Sequence, residues 1–329
     1  MIPNKLPLFL LFLFFSMDIN AQNGLTEIKS HGSNPGNLNM YMHIPIIQND
    51  SVKRKPLVIV LHGCSQNAGV VARQSGWNKL ADHFGFYVLY PSQKMLNNMG
   101  GCFNWFRKSD ITKDEGEVLS LKQMIDLAID SFSIDTSKIF VYGLSAGAAM
   151  GVALLADYPH LFNAGAILAG APFMSATNAI GGVVTMFVPS NKTAEKLAVP
   201  VISQNPDYKN KYPRLVVVHG RDDNVVNIKN SYRLIEQWTY LHHTDAVADT
   251  TINTFENNGD ITKYFYRDAA NNNVVIFYEV TNLGHALMIN PGDAITQGGE
   301  TGTFAVDKDF HSTYWIAVDF GLINNARHP

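Results

Sequence analysis

Ser145 sits in Gly143-Leu144-Ser145-Ala146-Gly147, between the β-rich run Ile139-Phe140-Val141-Tyr142 and the helix-forming stretch Ala148 to Leu155. A strand that turns sharply into a helix leaves room only for small residues beside the serine, and it pushes the hydroxyl out where a base and a substrate reach it. The same turn puts the backbone N–H of Ala146 at the start of a helix, aimed where an acyl oxyanion would form. The pattern is short and also arises by chance as a serine capping a helix, so the remaining chemistry has to come from elsewhere in the chain.

A serine nucleophile needs a base, and four histidines follow or flank β-rich runs: His62, His219, His285 and, less clearly, His311. Chain order separates them, because in a sheet of this kind the acid follows a later strand than the serine and the histidine follows the last one. His285 stands after the last β-rich run, Val274 to Val280, and Gly284 before it permits a tight loop. His62 and His219 each precede a glycine at a strand end, where a ring that bonds neighbouring backbone holds the turn. The acid is expected after the run Leu215 to Val218, in His219-Gly220-Arg221-Asp222-Asp223-Asn224-Val225-Val226. Asp223 is favoured because Val225-Val226 next to it can pin the loop against the core; Asp222 reads as a solvated turn carboxylate. Asp223 would fix the tautomer of His285 and stabilise the imidazolium formed during attack. A second oxyanion donor is expected from the loop after an early strand, His62-Gly63-Cys64. The backbone N–H of Cys64 is the choice and Gly63 the competitor.

These residues need a scaffold that delivers them to one edge. The runs Leu57 to Leu61, Phe86 to Tyr90, Ile139 to Tyr142, Ala166 to Leu168, Leu215 to Val218 and Val274 to Val280 are mostly followed by turn residues and then a helical pattern. Amphipathic segments such as Val118 to Phe132 and Ser231 to Leu241 lie between them. Alternation of this kind predicts an α/β fold with a mostly parallel, doubly wound sheet, whose ligands bind beyond the carboxyl ends of the strands.

Met1 to Ala21 carries Lys5, the apolar run Leu6 to Phe15 and small residues before Gln22, which reads as a cleaved secretory signal. Residues 22–329 are expected to form a single catalytic domain, with no repeat or linker to mark a second module. The net charge of −3, with 25 basic and 28 acidic residues scattered along the chain, gives no footprint for nucleic acid. After signal removal no segment is long and apolar enough to predict a membrane span. The chain has two cysteines, Cys64 and Cys102, and export would place them where pairing is expected.

Several ordered segments carry a resemblance: Leu61-His62-Gly63-Cys64-Ser65-Gln66-Asn67-Ala68, Cys102-Phe103-Asn104-Trp105-Phe106, Gly143 to Met150, Ala169-Gly170-Ala171-Pro172, His219-Gly220 leading to Asp223, and Gly284-His285-Ala286. In this order they resemble the exported short-chain polyhydroxyalkanoate depolymerase and feruloyl or acetylxylan esterase group of α/β-hydrolases. The resemblance implies Ser145 as nucleophile, Asp223 as acid, His285 as base, Cys64 and Ala146 as oxyanion donors, and a Cys64–Cys102 disulfide. It places Trp105 beside the site, as a flat apolar surface for an ester chain or as a core aromatic. It calls for no metal or organic cofactor.

The implied activity is that of a secreted serine esterase acting on polyhydroxyalkanoate or its oligomers, with a feruloyl or acetylxylan esterase as the alternative. A non-catalytic carbohydrate-binding protein on the same scaffold is the reading from another class. Two departures from the group's pattern, Phe103 and the segment Leu287 to Gly292 followed by Gln297-Gly298-Gly299, are expected where acyl or alcohol groups bind. Met174 to Tyr212 is the expected lid or specificity insertion. Trp315 to Phe320 is expected as a last helix covering the sheet, without a separate substrate-binding module.

Overall fold

The structure, a computed structural model, describes residues 21–22, 24–46 and 54–324. The expected leader, residues 1–21, lies outside the described residues apart from Ala21. Strands β1 (Ala21–Gln22), β2 (Leu25–Ile28), β3 (Asn39–His43), β4 (Lys55–Leu61), β5 (Tyr87–Ser92), β6 (Ile134–Leu144), β7 (Ala164–Leu168), β8 (Arg214–Gly220), β9 (Thr250–Ile252), β10 (Ile261–Arg267) and β11 (Asn273–Val280) form one sheet. Two short strands, β12 (Leu287–Ile289) and β13 (Ala305–Asp307), pair separately. The helices are α1 (Ala68–Ser75), α2 (Trp77–Phe84), α3 (Gly116–Ser131), α4 (Ala146–Asp157), α5 (Ala179–Phe187), α6 (Ala194–Gln204), α7 (Lys229–Leu241) and α8 (Ser312–Asp319).

The sheet order is β1-β2-β3-β5-β4-β6-β7-β8-β11-β10-β9. Every pairing from β5 through β11 is parallel, and the flanks on both sides are antiparallel. The six β-rich runs read from the sequence are the six parallel strands, which bury both faces and so appear as continuous Val/Ile/Leu stretches. Alternation along each strand then divides the core. Leu57, Ile59 and Leu61 of β4 pack on the face that carries α3, α4, α6 and α7, whereas Val58 and Val60 pack on the face that carries α1, α2 and α8. Leu215 and Val217 of β8 take the first face, Val216 and Val218 the second. Helices therefore cover both faces, as the doubly wound expectation required.

Parallel register brings the functional strand ends to one edge. Leu61 pairs with Gly143, Leu144 with Leu168, Leu168 with Val218, and Gly220 with Val280. The residues immediately beyond these ends are His62 to Cys64, Ser145, Ala169, Asp223 and His285. Among the described residues no helix is long and apolar enough to cross a membrane.

α4 is buried along its whole length, which ends at Asp157. The Asp157 side chain has no exposure, and neither carboxyl oxygen has a hydrogen-bond partner. Burial pushes its pKa up to about 9, with Lys113 pulling it down and Asp114 adding to the rise. The folded protein thus keeps a proton that the unfolded chain releases near the ordinary carboxylate value, so stability from this group falls as pH rises from about 4 towards about 9. Asp157→Asn should match the parent near pH 4 and exceed it by roughly 5 kcal/mol at pH 8, measured by denaturant unfolding at the two pH values.

Candidate active site

The turn from β6 into α4 is set by close backbone approach. A Cβ on Gly143 would strike the carbonyl of Gly147, and one on Gly147 would strike the carbonyls of Leu61 and His62. Only glycine lets the start of α4 press against the end of β4. Ser145 between them has φ 57° and ψ −119°, a region that costs a residue with a side chain on the order of 1–3 kcal/mol. Its N–H donates to Leu168 O at 2.8 Å, and its carbonyl accepts from Ala149 N at 3.0 Å, so the neighbouring strand and the helix hold the strained residue in place.

The loop after β4 is tied down at every residue around Cys64. Gly63 N–H donates to Gln66 Oε1 at 2.8 Å, and Ser65 N–H donates to Gly100 O at 2.8 Å. The N–H of Cys64 between them, and that of Ala146, have no partner among the described hydrogen bonds. This distinguishes Cys64 from Gly63, which sequence reasoning left as a competitor: the Gly63 donor is already used. The disulfide Cys64–Cys102, with Cα atoms 4.2 Å apart, clamps the loop to the segment Lys94 to Trp105.

His62 supports the same loop from beneath. Gln93 N–H donates to its Nε2 at 3.0 Å, so Nδ1 carries the proton and donates to Gly63 O at 2.7 Å. Burial lowers its pKa to about 4, with the Gly63 bond acting in the opposite sense, which keeps the ring neutral. Gln93 in turn reaches Glu117, whose carboxylate also accepts from Asn104 N at 2.8 Å and Asn104 Nδ2 at 2.6 Å. Burial pushes Glu117 up to about 7 against these hydrogen bonds. The sequence carried no signal for this carboxylate, which fixes the segment between Cys102 and Trp105.

The Asp223 side chain is fully buried and all its acceptor sites are used. Oδ1 accepts from Val225 N at 2.9 Å and Val226 N at 2.8 Å, and Oδ2 accepts from His285 Nδ1 at 2.7 Å. Burial alone would raise its pKa, but hydrogen bonds from His219, His285 and the Val226 backbone hold the carboxyl well below the ordinary range. An ionised carboxylate only accepts, so His285 Nδ1 carries the proton and its Nε2 keeps a lone pair. The edge of Phe304 packs against the His285 ring at 6.0 Å between centroids. Asp222, by contrast, is exposed, as the sequence reading had it.

His219 holds its turn as expected and also does something unforeseen. Its Nε2 lies 2.9 Å from Val226 O and 3.2 Å from Asp223 Oδ2, while Nδ1 lies 2.6 Å from Ser231 Oγ. A carbonyl can only accept, so Nε2–H is shared between Val226 and Asp223, and the Ser231 hydroxyl donates to Nδ1. The carboxylate that meets His285 is thus gripped by a second, buried imidazole. No sequence spacing announces this, because the contact depends on how the loop after β8 folds back. His311 is buried against Ser75 O at 2.9 Å, and burial lowers its pKa to about 4. It is a structural residue of the second core face.

A narrow pocket of about 40 Å³ is lined by Cys64, Trp105, Ser145, Ala146, Ala149, Ala169, Gly170, Ala171, Thr185, Met186 and Val226. It brings together Ser145, Trp105 and Cys64 and Ala146, the two residues whose N–H groups are unbonded, and Val226 connects its wall to Asp223 and so to His285. No hydrogen bond joins Ser145 Oγ to His285 in this structure, a spacing that substrate-free hydrolase sites commonly show. Thr185 and Met186 come from α5, so the segment Met174 to Tyr212 does wall the pocket. Two expectations need correcting. Phe103 is fully buried against the His62 ring, and Leu287 to Ile289 is a buried strand, so neither departure from the pattern lines the pocket. Among the described residues no group of three or more His, Cys, Asp or Glu could hold a metal ion.

The family model described as Esterase PHB depolymerase matches residues 40–256. Poly(3-hydroxyalkanoate) depolymerase C of Paucimonas lemoignei is 34% identical over 94% of this chain and 73% of its own length. Feruloyl esterase B of Talaromyces stipitatus is 30% identical over 80% of this chain and 73% of its own. Among solved structures, acetyl xylan esterase from Aspergillus awamori superposes with a TM-score of 0.71 over 79% of this chain and 93% of that one, at 24% identity, which speaks to the fold alone.

The disulfide closes a loop across 38 positions, worth about 4 kcal/mol in the chain-entropy model. Cys64→Ser/Cys102→Ser keeps the N–H at position 64 but frees its loop. It should lower the unfolding free energy by about that amount and cut the turnover of a soluble butyrate ester about tenfold, read from denaturant curves and initial rates.

Proposed function

The chain belongs to the Esterase PHB depolymerase family and is a carboxylic ester hydrolase, and from that premise we propose that it is an exported enzyme that hydrolyses poly(3-hydroxybutyrate) or its oligomers. Ser145 Oγ attacks the ester carbonyl while His285 Nε2 takes the hydroxyl proton, and Asp223 stabilises the imidazolium so formed. The tetrahedral oxyanion is received by the N–H groups of Cys64 and Ala146. Collapse passes the proton from His285 to the departing alkoxide and leaves an acyl-serine. Water, activated by His285 in turn, then releases the hydroxy acid and restores the serine.

The observation that carries the chemistry is the pair of unbonded donors at Cys64 and Ala146, residues that line one pocket with Ser145, while the Gly63 and Ser65 donors on either side of Cys64 are occupied. Such donors stabilise charge in the transition state because they need no reorganisation when it develops. For the substrate, support comes from the relative named a poly(3-hydroxyalkanoate) depolymerase, which aligns with 94% of the chain. A narrow, mostly apolar pocket also suits a short aliphatic acyl group better than an aromatic one. The disulfide supports export, since such bonds persist outside the reducing cytosol. The relative named feruloyl esterase B keeps plant-wall esters as the second reading.

Ser145→Ala should abolish hydrolysis of a soluble butyrate ester, and Asp223→Asn should reduce kcat by about 10³ to 10⁴-fold. His219→Leu, which leaves Asp223 its other donors, should reduce kcat about tenfold with little change in KM. Equal rates for the Ser145→Ala variant and the parent would overturn the mechanism. Initial rates on 3-hydroxybutyrate oligomers, methyl ferulate and acetylated xylan test the substrate: the oligomers should be preferred, and a preference for ferulate would reverse the assignment.

A further inference from the structure

α5 is built the wrong way round for a surface helix. Ile180, Val183, Val184 and Phe187 recur at the spacing of one helical face, yet they are 80%, 58%, 51% and 57% exposed, while Gly182 and Thr185 face inward. A surface helix ordinarily turns its apolar stripe to the core and its polar residues to water. Here the inward side is held by polar contacts. Thr185 Oγ1 donates to Ser175 O at 3.0 Å, Asn230 Nδ2 donates to Thr185 O at 2.8 Å, and Asn227 N donates to Met186 O at 2.8 Å. The helix is therefore fixed with its aliphatic face outward, and a contiguous exposed patch of this kind marks an interaction surface.

Three features identify what it meets. First, the face is continuous with the pocket: Thr185 and Met186 wall the space at Ser145, and Gly182 lies against Phe106, next to Trp105. Second, the sequence from Ala171 to Asn191 contains no Asp, Glu, Lys or Arg, so the helix itself brings no charge to this face. Third, the stripe is aliphatic with one phenyl ring, and it offers neither the row of flat aromatics nor the hydrogen-bonding groups that sugar hydroxyls require. A second exposed apolar cluster, Met95, Leu96 and Met99, lies in the loop that Gly100 ties to Ser65 beside Cys64.

We propose that the outward face of α5 is an adsorption surface for solid, uncharged aliphatic polyester, which brings the polymer to the mouth of the pocket at Ser145. The inference rests on the polyester reading above and adds where the solid is gripped. The driving force is burial of aliphatic side chains against the polymer, which is non-directional and independent of salt-screened charge.

The test uses the full chain and films of poly(3-hydroxybutyrate). Ile180→Ser/Val183→Ser/Phe187→Ser changes only exposed side chains outside the pocket lining, and Val247→Ser, 72% exposed before the edge strand β9, is the control. Adsorption is measured by depletion from solution with Ser145→Ala added to each protein, and hydrolysis is measured separately on film, on soluble 3-hydroxybutyrate oligomers and on a butyrate ester. The triple variant should adsorb at least about tenfold more weakly and erode film correspondingly more slowly, while its rates on oligomer and butyrate ester stay within about twofold. The control should behave as the parent throughout. Unchanged adsorption by the triple variant, or an equal loss in the control, overturns the surface while oligomer hydrolysis leaves the polyester reading standing. A parent protein that hydrolyses neither film nor oligomer overturns that reading, and this proposal with it.

Discussion

The start of α4 lies against the end of β4, with Gly147 pressed to the carbonyls of Leu61 and His62, and the site inherits its geometry from that contact. It fixes the distance between two backbone segments remote in sequence, one ending in Cys64 and the other beginning at Ala146. Two N–H groups can converge on a single oxyanion only if those segments do not drift. The strain at Ser145 is the local cost of this arrangement, and the hydrogen bond to Leu168 together with the wholly buried helix behind it sustains that strain.

Polar groups around the site are accounted for almost atom by atom, and this gives the loops their rigidity without regular structure. His62, Gln66, Gln93, Asn104 and Glu117 form one connected set beneath the disulfide. On the other side Asp223 accepts from two backbone amides and two imidazoles. Satisfied networks of this kind hold one arrangement in a low-dielectric interior, where a missing partner would be costly. The acid is thereby kept ionised and aimed, and His285 is left with a single tautomer.

Much of this was legible in the sequence. The parallel strands announced themselves because burial on both faces leaves unbroken apolar runs; chain order then pointed to His285 and to the turn after β8, and the neighbouring Val225-Val226 to Asp223 within that turn. The antiparallel flanks did not. β2 and β3 are short, with buried positions broken by half-buried ones, and β10 contains Lys263, buried against Asp319 and surrounded by the rings of Phe255, Phe265 and Tyr278. A lysine inside a strand reads as a solvated position until its partners are known. The choice between Cys64 and Gly63 turned on where the Gln66 side chain goes. The grip of His219 on Asp223 turned on a loop conformation. Phe103 and the strand after His285 were assigned to the substrate by analogy of position, and packing placed both in the core.

α4 is buried along its length and meets the pocket only through its first turn. Beyond that turn its amide hydrogens are bonded within the helix and have no local route to solvent, so they belong to the slowest-exchanging class. Yet the hydroxyl one residue before this helix stands at a pocket that, in the proposed reaction, water must enter to complete each turnover. Within one helical turn the chain passes from the part of the molecule that solvent reaches last to the part it must reach every cycle. A serine mounted in this way keeps the same position however often the surface around it rearranges.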